Sequence, residues 1–365
     1  MYINQIDTPA LLIDRSKMLR NLNRMQKLAG KNAVRLRPHI KTHKTPSLAK
    51  LQIELGAKGI SCAKISEAEI MAARGIRDIC IANVIVGLSK LQKLAALNVT
   101  IDHLSVCVDS HYSVNKLSDI FSGLNKPINV LIEMDTGLKR CGLEKDNDIL
   151  DLARHILSLP GVRLEGILTH AGQAYGSKDD AEREKIGRYE GERMAEIACM
   201  LEQDGIELET VSTGSTPTAE WCCIPDRVNE IRPGNYIFYD AIQAALGSCE
   251  EENCALSVLA TVISNPVPGR YIIDAGSKAL NSEKGAHGRD ILEGFGTIIG
   301  KSGTISRLSE EHGIITGGED LFLGEKIRII PNHACVTVNL HDMYFVVSGD
   351  SVEDILKIAA RGAIT

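Results

Sequence analysis

Five basic side chains surround one proline in RPHIKTHK, residues 37–44. Such a cluster can bind an anion, contribute to a metal site, or carry a lysine that reacts through its amine. Two-residue periodicity across residues 33–41 separates the two lysines. Arg35, Arg37, His39 and Lys41 share one face, while Val34, Leu36 and Ile40 share the other with Pro38. If the apolar face packs on helices, the charged face points inward. Burying those cations is costly unless each has a partner or an anionic ligand. Lys41 then stands at the C-terminal end of a strand, and Lys44 lies beyond it in the loop before Pro46. The plainer alternative is a solvated basic edge or a loop that contacts a phosphate.

Two further stretches carry chemistry. STGSTPT (212–218) is a small, hydroxyl-rich turn ahead of an expected helix near Pro217. Its backbone N–H groups and that helix N-terminus suit a phosphate; a turn that only caps the helix is the alternative. RPGNY (232–236) brings Gly234, Asn235 and Tyr236 to the next strand end. In PNHACVTVNLHD, read as a strand, His333, Cys335, Thr337, Asn339 and His341 share one face. His333 and Cys335 can share one metal ion and leave positions open for water and substrate, as a catalytic metal requires. The alternative is a polar outer strand face.

The elements that must position these residues fall into two regions. Eight β-rich runs lie at 33–41, 58–62, 78–83, 103–109, 128–135, 163–170, 208–212 and 227–232. They alternate with amphipathic stretches such as 47–56, 67–75, 145–159 and a longer one at 178–204. Eight such units predict a parallel (β/α)8 TIM barrel, with a doubly wound open sheet as runner-up. Its strand ends deliver Asn83, Asp109, Asp135 with Arg140, and His170. After residue 250 short strand candidates follow one another with almost no helix signal, which predicts an all-β domain. The fold class is thus α/β, with a barrel over residues 8–245 and a β-domain over 250–365; residues 1–7 can join the β-domain. A lysine on strand one and a phosphate cradle after strand seven suggest a phosphorylated cofactor held covalently, of which pyridoxal 5'-phosphate is the obvious case.

The chain has 365 residues and a net charge of −6, which argues against a nucleic-acid partner. It has no run apolar enough to span a membrane and no signal-peptide pattern at its N-terminus. Ten scattered cysteines without a CxxC pair fit reduced thiols in a cytoplasmic protein.

DTPALLID, RPHIKTHK, EMDTGLKRCG, THAGQAYG, STGSTPT, IRPGNYIFYD, DAGSKA and PNHACVTVNLHD occur in this order. In this the chain resembles the D-serine dehydratase and D-threonine aldolase group of the alanine-racemase-like, fold-type III pyridoxal phosphate enzymes. The resemblance runs from Asp7 to the AARG at 359–362. It implies a barrel followed by a β-domain in a head-to-tail homodimer. It also implies that Lys41 condenses with the cofactor aldehyde, the residue that parity had singled out. His170 would pack on the cofactor ring, with Arg140 near it and Tyr175 lining the pocket. STGSTPT and PGNY would form the phosphate side, giving a cofactor set of His39, Lys41, Arg140, His170, Tyr175, Thr213, Gly214, Ser215, Gly234, Asn235 and Tyr236. His333 and Cys335 would hold the metal, with Asn339 and His341 as supports.

D-threonine aldolases of this group carry His-x-Asp at the metal, whereas D-serine dehydratases and hydroxyaspartate relatives carry His-x-Cys and zinc. Cys335 therefore favours zinc over manganese and leans toward dehydration of a 3-hydroxy D-amino acid to a 2-oxo acid and ammonia. Lys41, tuned by Arg35 or Arg37 and by partial burial, is the expected base at Cα. Cleavage of Cα–Cβ to glycine and an aldehyde is the alternative. A racemase would need a second base that no residue supplies, and a non-catalytic carrier would not need the His-x-Cys pair.

Overall fold

The computed structural model describes residues 1–286 and 289–365. The chain opens with β1 (Ala10–Asp14) and α1 (Arg15–Lys31). Asp14 caps α1 by accepting from Lys17 N at 3.0 Å. The barrel strands are β2 (Arg35–Leu36), β3 (Ile60–Cys62), β4 (Asp78–Val84), β5 (His103–Val108), β6 (Ile128–Met134), β7 (Val162–Thr169), β8 (Thr210–Thr213) and β9 (Glu230–Ile231). Each lies at one of the eight expected runs. Between them lie α2 (Pro46–Glu54), α3 (Ile65–Ala72), α4 (Leu88–Asn98), α5 (His111–Phe121), α6 (Asp146–Leu157) and α7 (Asp180–Gln203), and α8 (Ala241–Ala245) follows. The parallel sheet runs in the order β2-β9-β8-β7-β6-β5-β4-β3, and a bridge between His39 and Ser61 joins its two ends into a barrel. The open-sheet alternative is thereby excluded.

Parity along the strands sorts their side chains. Ile60, Ile79, Leu104, Val106, Val130 and Ile132 pack outward on the helices in one buried cluster. The inward side chains form layers. At the N-terminal end Arg37, 3% exposed, donates to Glu230 at 2.8 Å and to Asp78 at 2.5 Å. His103 bonds Asp78 at 3.0 Å and Glu165 at 2.9 Å. Arg35 donates to Thr210 and Asn229. Above this charged floor lies a small apolar layer of Cys80, Cys107, Leu131 and Leu168. Arg35 and Arg37 face inward as expected, yet Glu230 and Asp78 neutralise Arg37, neutral oxygens of Thr210 and Asn229 hold Arg35, and the apolar layer separates both from the C-terminal end. They are therefore not the groups that tune Lys41.

The second sheet runs β15-β16-β11-β10-β1-β18-β19. Its strands are β10 (Leu256–Val267), β11 (Arg270–Ile273), β15 (Thr304–Leu308), β16 (Gly313–Thr316), β18 (Met343–Ser348) and β19 (Ser351–Lys357). β17 (Lys326–Ile330) pairs with β10 and with β14 (Thr297–Ile298), and a separate two-stranded ribbon joins β12 (Gly285–Ala286) to β13 (Arg289–Asp290). Residues 10–14, expected at the start of the barrel, pair instead with β10 and β18. Met18, Leu22 and Met25 of α1 share one buried cluster with Leu256 and Val258 of β10, so barrel and β-domain have a common core.

Two local expectations fail. ACVTV is not a strand: Ala334–Val338 forms α10, after the short α9 (Ser277–Leu280). Val and Thr favour strands, but tertiary contacts outweigh that preference. Ala334 N donates to the buried Asp240, Thr337 N returns to His333 O, and Thr337 Oγ1 donates to Leu280 O. Likewise Pro217 starts a turn over 216–221, not a helix. Among the described residues no helix is long and apolar enough to cross a membrane.

The floor makes stability depend on pH. Hydrogen bonds to Asp78 and Glu165 raise the His103 imidazole from 6.5 to about 9. Because the folded value is the higher one, this stabilisation is complete below about 6.5 and is lost as pH rises through about 9. The unfolding free energy from urea titration should fall across that window by on the order of 1–2 kcal/mol, allowing for partial exposure. His103→Gln should flatten the profile there; an unchanged slope would show that the floor is not the cause.

Candidate active site

The barrel strands end in a cavity of about 770 Å³ that also reaches the β-domain. Lys41 lines it from the turn at 40–43, just after the His39 bridge, and not from the strand, which ends at Leu36. Lys44 does not line it. It is 7% exposed, pairs with Glu67 at 2.8 Å, and donates to Ala360 O and Ala363 O at 3.3 Å. Geometry therefore separates the two lysines of the octet as parity did. His43 is also structural, bonding Gln52 at 3.1 Å.

His39, Arg140, His170 and Tyr175 line the same cavity. Burial holds the His39 imidazole well below its ordinary range, reinforced by the charges of Lys41, His170, Arg232 and Arg140, so it is neutral. Its Nδ1 accepts from Lys41 N at 3.3 Å. Arg140 reaches Glu133 at 3.5 Å. Burial raises the Tyr175 phenol, so it stays neutral beside Thr216 and Gln243. Arg232 was not singled out from the sequence. It is buried, donates to Ser212 Oγ and Thr169 O, and brings a permanent charge to the cavity. Its inward parity with Glu230 on β9 was the available signal.

Gly214, Ser215, Gly234 and Asn235 line the cavity from the two expected turns. At Gly234 a Cβ would stand 2.8 Å from His39 O, so only glycine lets this turn lie against strand one. Thr213 and Tyr236 do not reach the cavity. Thr213 has the opposite strand parity to Ser212 and contacts Cys222 O, while the Tyr236 hydroxyl accepts from Gln52 of α2 at 3.0 Å. Glu190 of α7 builds this region, and the sequence carried no signal for it beyond a charge on a long helix. Its Oε1 accepts from Ala171 N at 3.2 Å and Gly214 N at 3.0 Å, and its Oε2 accepts from Thr218 Oγ1 at 2.9 Å. Ser215 N in turn donates to Thr218 Oγ1 at 3.0 Å. Two backbone donors of the turn are thus spent internally, so the phosphate reading now rests on the remaining donors of the two turns.

His333 and Cys335 also line the cavity. His333 precedes α10 in extended conformation and Cys335 lies in its first turn, so the pair converges without being on a strand. Thr42 Oγ1 lies 3.1 Å from Cys335 Sγ, which brings the octet and the His-x-Cys pair together. Burial alone would depress His333, but Cys335 and Glu283 lift it well above its ordinary range. Burial alone would raise the Cys335 thiol, but His333 and Lys41 bring it down, which favours the thiolate. Glu283 bonds His333 Nδ1 at 2.5 Å, leaving Nε2 as the ring nitrogen for a metal. Two protein ligands would leave positions at an ion for water or substrate. Asn339 and His341 do not support this pair: Asn339 accepts from Gly362 N, and His341 bonds Ala279 O at 2.9 Å. Asp109 and Asp135 accept from Gly142 N and Gly137 N and shape loops.

Residues 13–241 match the alanine racemase N-terminal domain and residues 255–347 the serine dehydratase domain. The D-threonine aldolase of Arthrobacter sp is 37% identical over 98% of this chain and 93% of that protein. The crystal structure of D-threonine aldolase from Filomicrobium marinum superposes with a TM-score of 0.92 at 33% identity, covering 99% of this chain and 97% of that one. D-threo-3-hydroxyaspartate dehydratase from Delftia sp. HT23 does so with a TM-score of 0.90 at 32% identity, covering 98% of each. That dehydratase is also known as variants with alanine in place of a cysteine, in the metal-free form, and of a histidine two positions before it. The chain belongs to the D-serine dehydratase and D-threonine aldolase group of alanine-racemase-like enzymes.

Proposed function

We propose that this protein is a lyase of 3-hydroxy D-amino acids that works with pyridoxal phosphate and a divalent metal, and that it favours dehydration to a 2-oxo acid and ammonia. The observation that carries this reading is the Thr42–Cys335 contact, which sets the amine of Lys41 and a thiolate–imidazole pair in one cavity.

The cavity's chemistry suits both groups. Lys41 supplies a primary amine, and Arg140, Arg232 and Lys284 supply positive charge for an anionic cofactor and the substrate carboxylate. His39, Lys41, Arg140, His170, Tyr175, Gly214, Ser215, Gly234 and Asn235 would hold the cofactor, which when bound takes up the electron pair left at Cα. Cys335 and His333 would hold the metal, a Lewis acid toward the 3-hydroxyl. Lys41 accepts the Cα proton. Neutral His39 adds no further charge beside it. Tyr175 stays protonated, so it serves as a hydrogen-bonding phenol and not as a base. The thiolate selects zinc over manganese, and a homodimer belongs to the same proposal. The aldolase reading is favoured by one observation, the 37% identity to a D-threonine aldolase.

Purified protein given D-serine, D-threonine and D-threo-3-hydroxyaspartate should release 2-oxo acid, and a chelator should abolish that release. Glycine with an aldehyde would instead make it an aldolase, and activity that survives thorough metal removal would sink the metal-assisted scheme. Lys41→Ala should remove the visible absorbance of bound cofactor and lower kcat by about a thousandfold or more. Lys44→Ala should keep that absorbance in the folded protein while costing about 3–5 kcal/mol of stability, because Glu67 is left buried and unpaired.

Glu190→Ala orphans two buried N–H groups, at about 1–3 kcal/mol each, and should raise the cofactor dissociation constant at least tenfold (about 1.4 kcal/mol). Glu190→Gln keeps an oxygen for both donors and should restore most of the affinity. Equal cofactor titrations for the wild type and Glu190→Ala would refute this role.

A further inference from the structure

A second cavity, of about 240 Å³, lies on the outside of the barrel behind the turn at Thr216 and Pro217. Arg24, Lys27 and Lys31 of α1 and Arg183 of α7 line it, against one lining carboxylate, Glu220. Arg24 pairs with Glu220 at 3.0 Å and Arg183 with Asp180 at 3.1 Å, so the exposed Lys27 and Lys31 remain as the charge surplus. Arg183 is 3% exposed. Its Nη2 donates to Gly247 O and meets Asp180 Oδ1, both at 3.1 Å, and its guanidinium lies 5.2 Å from the centre of the Trp221 ring. Its Nε and Nη1 are buried without a hydrogen-bond partner, and so is Ser248 Oγ in the same cavity.

Buried donors left unpaired are expensive, at about 1–3 kcal/mol each, and native folds rarely keep several together without something to fill the space. Water could satisfy the donors, but it would not offset the charge. Lys27 and Lys31 stand one helical turn apart, where like charges repel. An anion answers both demands at once. A surplus of more than one positive charge favours a phosphate-class dianion over a carboxylate. We propose that this cavity is a second anion site, for a small phosphate-class oxyanion that is either free phosphate or the phosphate of a monoester. The site stands back to back with the phosphate-side turn of the active site, since Thr216 lines both cavities.

The test uses the full chain with saturating pyridoxal phosphate, so that the first cavity cannot take the probe. Inorganic phosphate and glycerol phosphate are titrated calorimetrically against sodium chloride of equal ionic strength. One saturable site of about 1 mM or tighter is expected. The exposed pair Lys27→Gln and Lys31→Gln together should weaken binding about tenfold without disturbing the fold, and Arg183→Gln should abolish it. Tighter binding of phosphate identifies the free ion as ligand, and tighter binding of glycerol phosphate identifies a monoester. The proposal is overturned if no saturable binding occurs, if saturating cofactor removes it, or if the lysine substitutions leave it unchanged.

Discussion

The buried carboxylate of Asp240 is the joint on which the site depends. It accepts from Asn235 Nδ2 at 2.5 Å, from Gln243 N at 2.9 Å and from Ala334 N at 2.8 Å. The first donor belongs to the last barrel loop, the second to α8, and the third starts α10 in the β-domain. Beside it the backbone N–H groups of Ala241 and Ile242 donate to Pro331 O and Asn332 O. Burial pushes this carboxyl above its usual range, while its three donors and the charge on His333 oppose the shift. A buried carboxylate tolerates little movement of its donors, because each lost bond leaves it less compensated. The His333–Cys335 pair is thereby held against a barrel it does not belong to in sequence.

The same rule sorts the cations. The barrel interior can hold charge only where each group has a counter-charge or a ligand. Arg37 is neutralised by Glu230 and Asp78, and Lys44 by Glu67. Both are structural, though they sit in the octet beside Lys41. His39 and Lys41 face the cavity with Arg140 and Arg232. The apolar layer of Cys80, Cys107, Leu131 and Leu168 keeps the two populations apart. A site for an anionic cofactor thus sits above a floor whose charges are internally balanced.

Support for the cavity comes from two carboxylates, of which Glu283 lines it and Glu190 does not. Glu190 ties the end of β7 to the end of β8 through Ala171 N and Gly214 N. Glu283, at the mouth, orients His333. Neither stands in a recognisable motif, because a carboxylate that accepts backbone N–H groups can come from any element that passes close enough. The second cavity, outside the barrel, brings the exposed Lys27 and Lys31 close to buried donors of Arg183 and Ser248 that have no protein partner.

Local periodicity was enough to read much of this protein from its sequence. Alternation along 33–41 put Lys41 on the inward face, and the eight strand–helix units predicted the barrel, because side-chain direction follows from backbone geometry alone. The His-x-Cys pair was legible as two soft donors close in sequence. Three matters were decided only by the tertiary structure. It made ACVTV a helix, because Asp240 and Leu280 bond it there. It put Ala10–Asp14 in the second sheet, because β10 and β18 supply the pairing edges. It also gave Arg35 and Arg37 protein partners in place of a ligand. In each case the deciding contact comes from residues distant in the chain, and that distance is what no local pattern records.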